Sequence, residues 1–390
     1  MNFDDLNIPR CKNFTGYKPC YSYKNCLLNG CVNNTELNKT GVKILIISLD
    51  AMGNVLDNTP VLHSIKRKFP VSTIYWITKN DAVKVLNNSV LIDRVFAWDD
   101  ESRLILRNID FDVMYNADKS DYACAFANEI RAENKFGFLL NEDGKIIPAN
   151  KGAMYSYELG VDDYLKFRLN QKTGIRILHE AFELDYANDE YEFYLDETEN
   201  SFTESYKIAI SYDRNNKYVG FNTGCSDLFP NKKMTVEQHI YLIKEFLKYK
   251  EIRIVLLGGR EDTERNNIIY NSFGSSEKKR IINTPTEGGL RKGACYMDIA
   301  DAVITGDTFG LHLAIALKKF VIVWFGLSCA SEIELYGRGV KLSQEDLECS
   351  PCWKKDCPHN LECISQIDLE KIVEVTLSHF KIKKVSGNEL

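Results

Sequence analysis

A chain of 390 residues with 44% hydrophobic and 27% charged side chains is long enough for two domains with real cores. Its net charge of −6 argues against the basic surface that non-specific nucleic-acid binding requires. No apolar run approaches the ~20 residues of a membrane helix, and residues 1–9 are polar and acidic without a signal-peptide core, so the expectation is a cytoplasmic protein with no nucleic-acid partner and no transmembrane segment.

Residues 1–40 are polar and rich in cysteine. The run CKNFTGYKPCYSYKNCLLNGC places Cys11, Cys20, Cys26 and Cys31 in a segment too short to build its own core, which a bound metal would stabilise directly. Its loose spacings fit zinc or an iron–sulfur cluster, and reduced structural thiols are the alternative. Asn33-Asn34-Thr35 and Asn38-Lys39-Thr40 read as a linker.

From residue 41 strands alternate with helices. Residues 42–49 read as a buried strand, 55–69 as a helix, 72–78 and 112–117 as strands, and 122–132 as a helix; the tract 139–195 is less regular. The pattern restarts near Tyr218, with a strand ending at Asn222, a helix over 235–248 and a strand over 252–257. A third strand at 302–305 runs into Gly306-Asp307-Thr308-Phe309-Gly310, then a helical pattern carries Leu311, Ala314, Ile315 and Leu317, and a strand fills 320–325. Alternation of this kind predicts parallel sheets covered by helices on both faces. The expected fold is therefore α/β: two doubly wound, Rossmann-like domains, 41–213 and 214–380, facing a cleft, preceded by the cysteine-rich segment 1–40.

Ligands in such sheets sit beyond the carboxyl ends of the strands. The turn at 306–310 presents backbone N–H groups and a helix N-terminus, where phosphate binds well, although Asp and Thr are also ordinary helix caps. Asp50 directly follows the first strand and Asp118 the strand at 112–117; each is either a strand-end functional carboxylate or a cap of the next helix. Asn222, Thr223 and Gly224 offer amide, hydroxyl and backbone donors, and Lys232 and Lys233 follow closely. Near the C-terminus, CSPCWKKDCPHNLEC sets Cys349, Cys352, Cys357 and Cys363 at spacings that suit a tetrahedral zinc or iron site, against reduced structural cysteines. Cys124, Cys225, Cys295 and Cys329 stand alone and read as buried thiols, with Cys225 in the loop after Gly224.

The segment Gly306-Asp307-Thr308-Phe309-Gly310-Leu311-His312 resembles the donor-site pattern of glycosyltransferase family 9, the heptosyltransferase-like enzymes: an Asp-Thr with a His on the next helical turn. VKILIISLDAMGNVLDNTP, from Val42 to Pro60, is similar to the family's first strand and glycine turn, and the likeness continues in family order to about Ile367. The resemblance implies a GT-B fold and transfer of a sugar, with inversion, from a nucleotide diphosphate donor to a glycan or protein hydroxyl; ADP-heptose is the donor it favours. It implies that Asp307, Thr308, Gly310 and His312 hold the donor, with Asn222, Thr223, Gly224 and Lys232 opposite, and that Met52, Gly53 and Asn54 line the reacting centre. No catalytic divalent metal is implied. The cysteine tract resembles that of a branch which glycosylates autotransporter adhesins, binds iron through four cysteines and forms large oligomers, implying structural iron or zinc and a homo-oligomer here.

Two departures stand out. The family places a base Asp where this chain has Asn54, and a positioned base is worth ~100- to 10,000-fold in rate, leaving Asp50 or Asp118 to supply it. The family also places a cation before an aromatic–proline pair, whereas Ser226-Asp227-Leu228 precede Phe229-Pro230 here. A catalytically degenerate partner subunit and, more remotely, a redox or metal-sensing protein are the rival readings.

Overall fold

Runs of five to seven residues, apolar enough to be buried on both faces, form the central parallel strands of two sheets. The computed structural model describes residues 8–20, 25–27, 38–225, 229–344 and 346–384. It divides into two units: Met1–Val161 with Arg176–Asp189, and Asp162–Ile175 with Glu190–Leu390.

In the first unit, β1 (Val42–Ile47) lies between β2 (Ser72–Thr78) and β4 (Asp110–Asn116), with Ile44 in register with Ile74 and Val113. β3 (Arg94–Ala97) pairs with β2, β5 (Arg131–Leu140) with β4, and β6 (Ile146–Pro148) runs antiparallel to β5, giving the order β3-β2-β1-β4-β5-β6. Leu45, Ile47, Ile77 and Met114 pack with Phe111 and Phe126 in its core. The helix expected over 55–69 is two helices, Met52–Asp57 and Val61–Lys68. Pro60 has no N–H to continue the helical ladder, and Asn58 closes the first helix instead. The helix expected to reach residue 132 stops at Glu129, because Arg131 and Ala132 already pair with β4.

In the second unit the strands are β7 (Lys217–Asn222), β8 (Ile252–Leu257), β9 (Ile281–Asn283), β10 (Ala302–Gly306), β11 (Phe320–Phe325) and β12 (Gly339–Ser343), in the order β12-β11-β10-β7-β8-β9. Phe221, Phe246, Ile254 and Trp324 belong to its core. The boundary differs from the one expected at 213/214, since residues 162–175 and 190–213 also belong to this unit. The cause is visible in the helix Glu197–Ala209: Arg291 Nε donates to Glu199 Oε1 at 2.7 Å, and Phe202 and Tyr206 meet the ring of Tyr296 edge-on.

In each sheet the sequence order reverses once, between β1 and β4 and between β7 and β10. Such reversals open a crevice at the carboxyl ends of the two strands, where ligands of doubly wound sheets bind. Among the described residues, no helix is long and apolar enough to cross a membrane.

Candidate functional site

The reversal in the second unit gathers the residues singled out at two separate stretches of sequence. Asn222 ends β7, and its side-chain amide donates to Thr305 Oγ1 and Thr308 Oγ1, both at 3.0 Å. Thr308 caps the helix Phe309–Ala316 by accepting from the Gly310 N–H. A Cβ on Gly310 would fall 2.5 Å from the Asn222 side chain, so the close approach of turn and strand requires glycine there. Thr223 Oγ1 donates to Asn266 Oδ1 at 2.5 Å, and a Cβ on Gly224 would lie 1.9 Å from the Asp262 carboxylate. Asp262 is buried and accepts from the Gly259 N–H at 2.9 Å; burial raises its carboxyl above the usual range.

Asp307 follows β10 and meets Lys232 Nζ at 2.7 Å, with 12% and 15% of the two side chains exposed. Burial would push the Asp307 carboxyl up, but the Lys232 ammonium and His312 together hold it below the usual range. His312, buried on the same helix, has Nδ1 3.1 Å from the Tyr191 hydroxyl, with the two rings stacked. Lys232 is itself fixed: its carbonyl accepts from Trp324 Nε1 at 3.0 Å, and its ammonium lies over the rings of Trp353 and Phe229, at 4.9 and 5.7 Å from their centroids. The arrangement holds an ammonium, a carboxylate, hydroxyls and a helix N-terminus beside one pair of strand ends, a set suited to phosphate and sugar hydroxyls.

In the first unit, the β1/β4 reversal brings Asp50 and Asp118 together. Neither caps a helix: the residue before Met52–Asp57 is Ala51, and the one before Asp121–Glu129 is Ser120. Asp118, only 9% exposed, accepts the backbone N–H of Leu49. Burial, reinforced by the neighbouring charge of Asp50, pushes its carboxyl up to about 7 despite that hydrogen bond. Asp50 is more open, 44% exposed, and pairs with Lys79 Nζ at 2.7 Å while accepting from the Tyr122 hydroxyl. Met52 and Gly53 are half-buried in the first turn of the helix. Asn54 is exposed and its amide donates to the Asp50 carbonyl at 3.3 Å.

The cysteines divide. Cys31 and Ser226-Asp227-Leu228 lie outside the described residues. Cys11 bridges to Lys39, and Lys12 pairs with Asp93 at 2.8 Å; Cys20 is exposed and Cys26 half-buried. In the C-terminal tract, Cys357 Sγ accepts from the His359 and Leu361 N–H groups at 3.4 Å each. Burial pushes the Cys363 thiol up to about 11, and the charges of Cys357, Cys352 and Cys349 push in the same direction. Even so, among the described residues no three His, Cys, Asp or Glu side chains are gathered to hold a metal ion.

Three participants escaped the sequence reading. Lys79 directly follows β2 and the strand-end rule would have found it. Tyr191 sits in the irregular tract and Trp353 inside the cysteine run, where no periodicity singles them out.

The sequence model of glycosyltransferase family 9 (heptosyltransferase) matches residues 103–362. Lipopolysaccharide heptosyltransferase 1 of Campylobacter coli is 25% identical over 305 residues, covering 73% of this chain and 84% of that protein. Two heptosyltransferases are among the solved structures that share the fold. The ADP-heptose lipopolysaccharide heptosyltransferase II of Escherichia coli superposes with a TM-score of 0.61 at 16% identity, covering 87% of this chain and 100% of that one. A dodecameric iron-containing heptosyltransferase of enterotoxigenic E. coli, in complex with ADP-D-β-D-heptose, superposes with a TM-score of 0.50 at 12% identity, covering 88% and 77%.

Proposed function

Since this chain belongs to glycosyltransferase family 9 and is a glycosyltransferase drawing on a nucleotide-heptose donor, we propose that it moves heptose from ADP-heptose, with inversion, to a hydroxyl of a glycan or protein in the cytoplasm. In this reading the second unit holds the donor and the first supplies the acceptor side and the base. The acceptor oxygen attacks the anomeric carbon, the bond from that carbon to the phosphate oxygen breaks, ADP leaves, and the acceptor proton passes to a carboxylate.

The observation that carries the proposal is the coincidence of both sheet reversals with the chemistry: Asp118 at one, Asp307 with Lys232 at the other. Lys232 meets the diphosphate charge, supplying the cation that is missing before Phe229-Pro230. Asp307 orients Lys232 and accepts from donor hydroxyls, while Thr308, Gly310 and His312 frame the same turn. Asp118 is the better base of the two first-unit carboxylates, because a carboxyl titrating at about 7 takes a proton effectively near neutral pH. Asp50 is committed to Lys79 and Tyr122.

A structural iron or zinc at Cys349, Cys352, Cys357 and Cys363 is part of the proposal, supported by the C-x2-C spacing and by the paired N–H contacts to Cys357. No step of the transfer runs through it. Metal analysis of the purified chain should find iron or zinc, lost in Cys352→Ser; a metal-free wild type excludes this part.

The test of the function is calorimetric titration with ADP-heptose beside UDP- and GDP-sugars. Tight binding of the ADP sugar alone, lost in Asp307→Ala, is the expected result. Binding without transfer to any acceptor would favour the partner-subunit reading, and no binding at all would end the proposal.

A further inference from the structure

Trp353 lies in the cysteine tract, between Cys352 and Cys357, yet its indole faces the donor turn. The ring lies under two ammonium groups of the second unit, Lys232 Nζ at 4.9 Å and Lys166 Nζ at 5.2 Å from its centroid. Phe229 meets the indole edge-on at 5.6 Å and lies under Lys232 as well. The backbone holds this ring in place. The N–H groups of Cys352 and Trp353 both donate to the Leu327 carbonyl, at 3.0 and 2.9 Å, two residues beyond β11. Ser350 Oγ donates to the Gly326 carbonyl at 2.6 Å, and Asn231 Nδ2 to the Lys354 carbonyl at 2.9 Å, tying the tract to the residue before Lys232.

A lysine ammonium on a four-carbon stem has little intrinsic direction, and Asp307 constrains it from one side only. An aromatic face adds an attraction that leaves the N–H donors available to a ligand. We infer that Trp353 is a positioning residue of the donor site: its ring holds the Lys232 ammonium where the donor diphosphate is neutralised. This rests on the donor reading above. It also gives the cysteine tract a second consequence, since whatever orders residues 349–363 orders the ring beneath the phosphate-binding lysine.

The experiment is calorimetry of the full chain with ADP and with adenosine, which lacks the phosphates. Trp353→Leu should weaken ADP by roughly 3- to 30-fold, the range of a partly desolvated cation–aromatic contact, and Trp353→Phe should restore most of it. Adenosine affinity should not move, and in a Lys232→Met background Trp353→Leu should change ADP affinity less than about twofold. Equal losses for ADP and adenosine, or losses that multiply in the double variant, overturn the inference. A wild type that binds no ADP removes the donor reading instead; positioning is then decided by the reductive-methylation rate of Lys232, read by mass spectrometry. Faster labelling in Trp353→Leu supports the contact and equal rates reject it. Trp353→Met takes the place of the leucine variant if that protein fails to fold.

Discussion

Asp118 and Asp307 follow corresponding strands of the two sheets, both lie out of bulk water, and they are tuned in opposite directions. Burial dominates at Asp118, where an N–H donor is present and the nearest carboxylate repels; its carboxyl rises to about 7. At Asp307 the same desolvation is outweighed by Lys232 at 2.7 Å and by His312, and the carboxyl falls. Position in the fold is therefore not what sets the chemistry; the presence of one cation within hydrogen-bond reach is. A carboxylate without a cation is prepared to take a proton, and one with a cation is prepared to stay charged.

The largest expected effect breaks the first half of the comparison. Asp118→Asn should lower kcat by ~100- to 10,000-fold while leaving ADP-heptose affinity within about twofold. Wild-type kcat should fall below pH 7 as Asp118 is protonated, while donor affinity stays flat down to about pH 6, because Asp307 remains ionised there. The same shift has a stability signature. Between about pH 4 and 7 the folded state keeps a proton on Asp118 that the unfolded chain has released. This stabilisation is complete below about pH 4 and is lost as pH rises through 7. Asparagine does not titrate, so the variant should gain in Tm relative to wild type on going from pH 5 to 8.5. An unchanged Tm difference, or an unchanged kcat, would remove Asp118 from the role of base.

Asp307→Ala tests the second half. Removing one member of a buried pair leaves the other charge uncompensated, at a typical cost of about 3–5 kcal/mol. The two side chains retain some exposure, so the lower end of that range is expected. Thermal unfolding should shift down accordingly, and ADP-heptose affinity should fall by ~100-fold or more as Lys232 loses its orientation. Lys232→Met should mimic the affinity loss. If Asp307→Ala melted lower but bound the donor normally, the pair would be structural only.

The two halves of this comparison were unequally legible in the sequence. The strands at 72–78, 252–257 and 320–325 were readable to the residue, because fully buried parallel strands are continuous apolar runs bounded by turns. Asp307, Thr308 and Asn222 stood out since they sit at strand ends next to glycines that permit close approach. What could not be read were pairings across long separations. Lys232 is 75 residues from Asp307 and Tyr191 is 121 from His312, and no periodicity links them. The tuning of Asp118 was equally hidden, since burial depends on what packs over the strand end. The helix break at Pro60 was a local signal that apolar periodicity on both sides outweighed.

The smallest expected effect concerns Asn54, where sequence comparison raised the strongest doubt about turnover. Its amide donates to the Asp50 carbonyl and its side chain is exposed, so Asn54→Asp exchanges a weak contact for a second carboxylate near Asp50. An open carboxylate at this place is a weaker base at neutral pH than one titrating at about 7. If Asp118 already accepts the acceptor proton, Asn54→Asp should change kcat less than about tenfold. In an Asp118→Asn background the same substitution should recover a measurable part of the lost rate, because it is then the accessible replacement. A large gain in the otherwise wild-type protein would reverse the assignment: residue 54 would be the proper place of the base, and Asp118 a buried carboxyl with no part in the transfer.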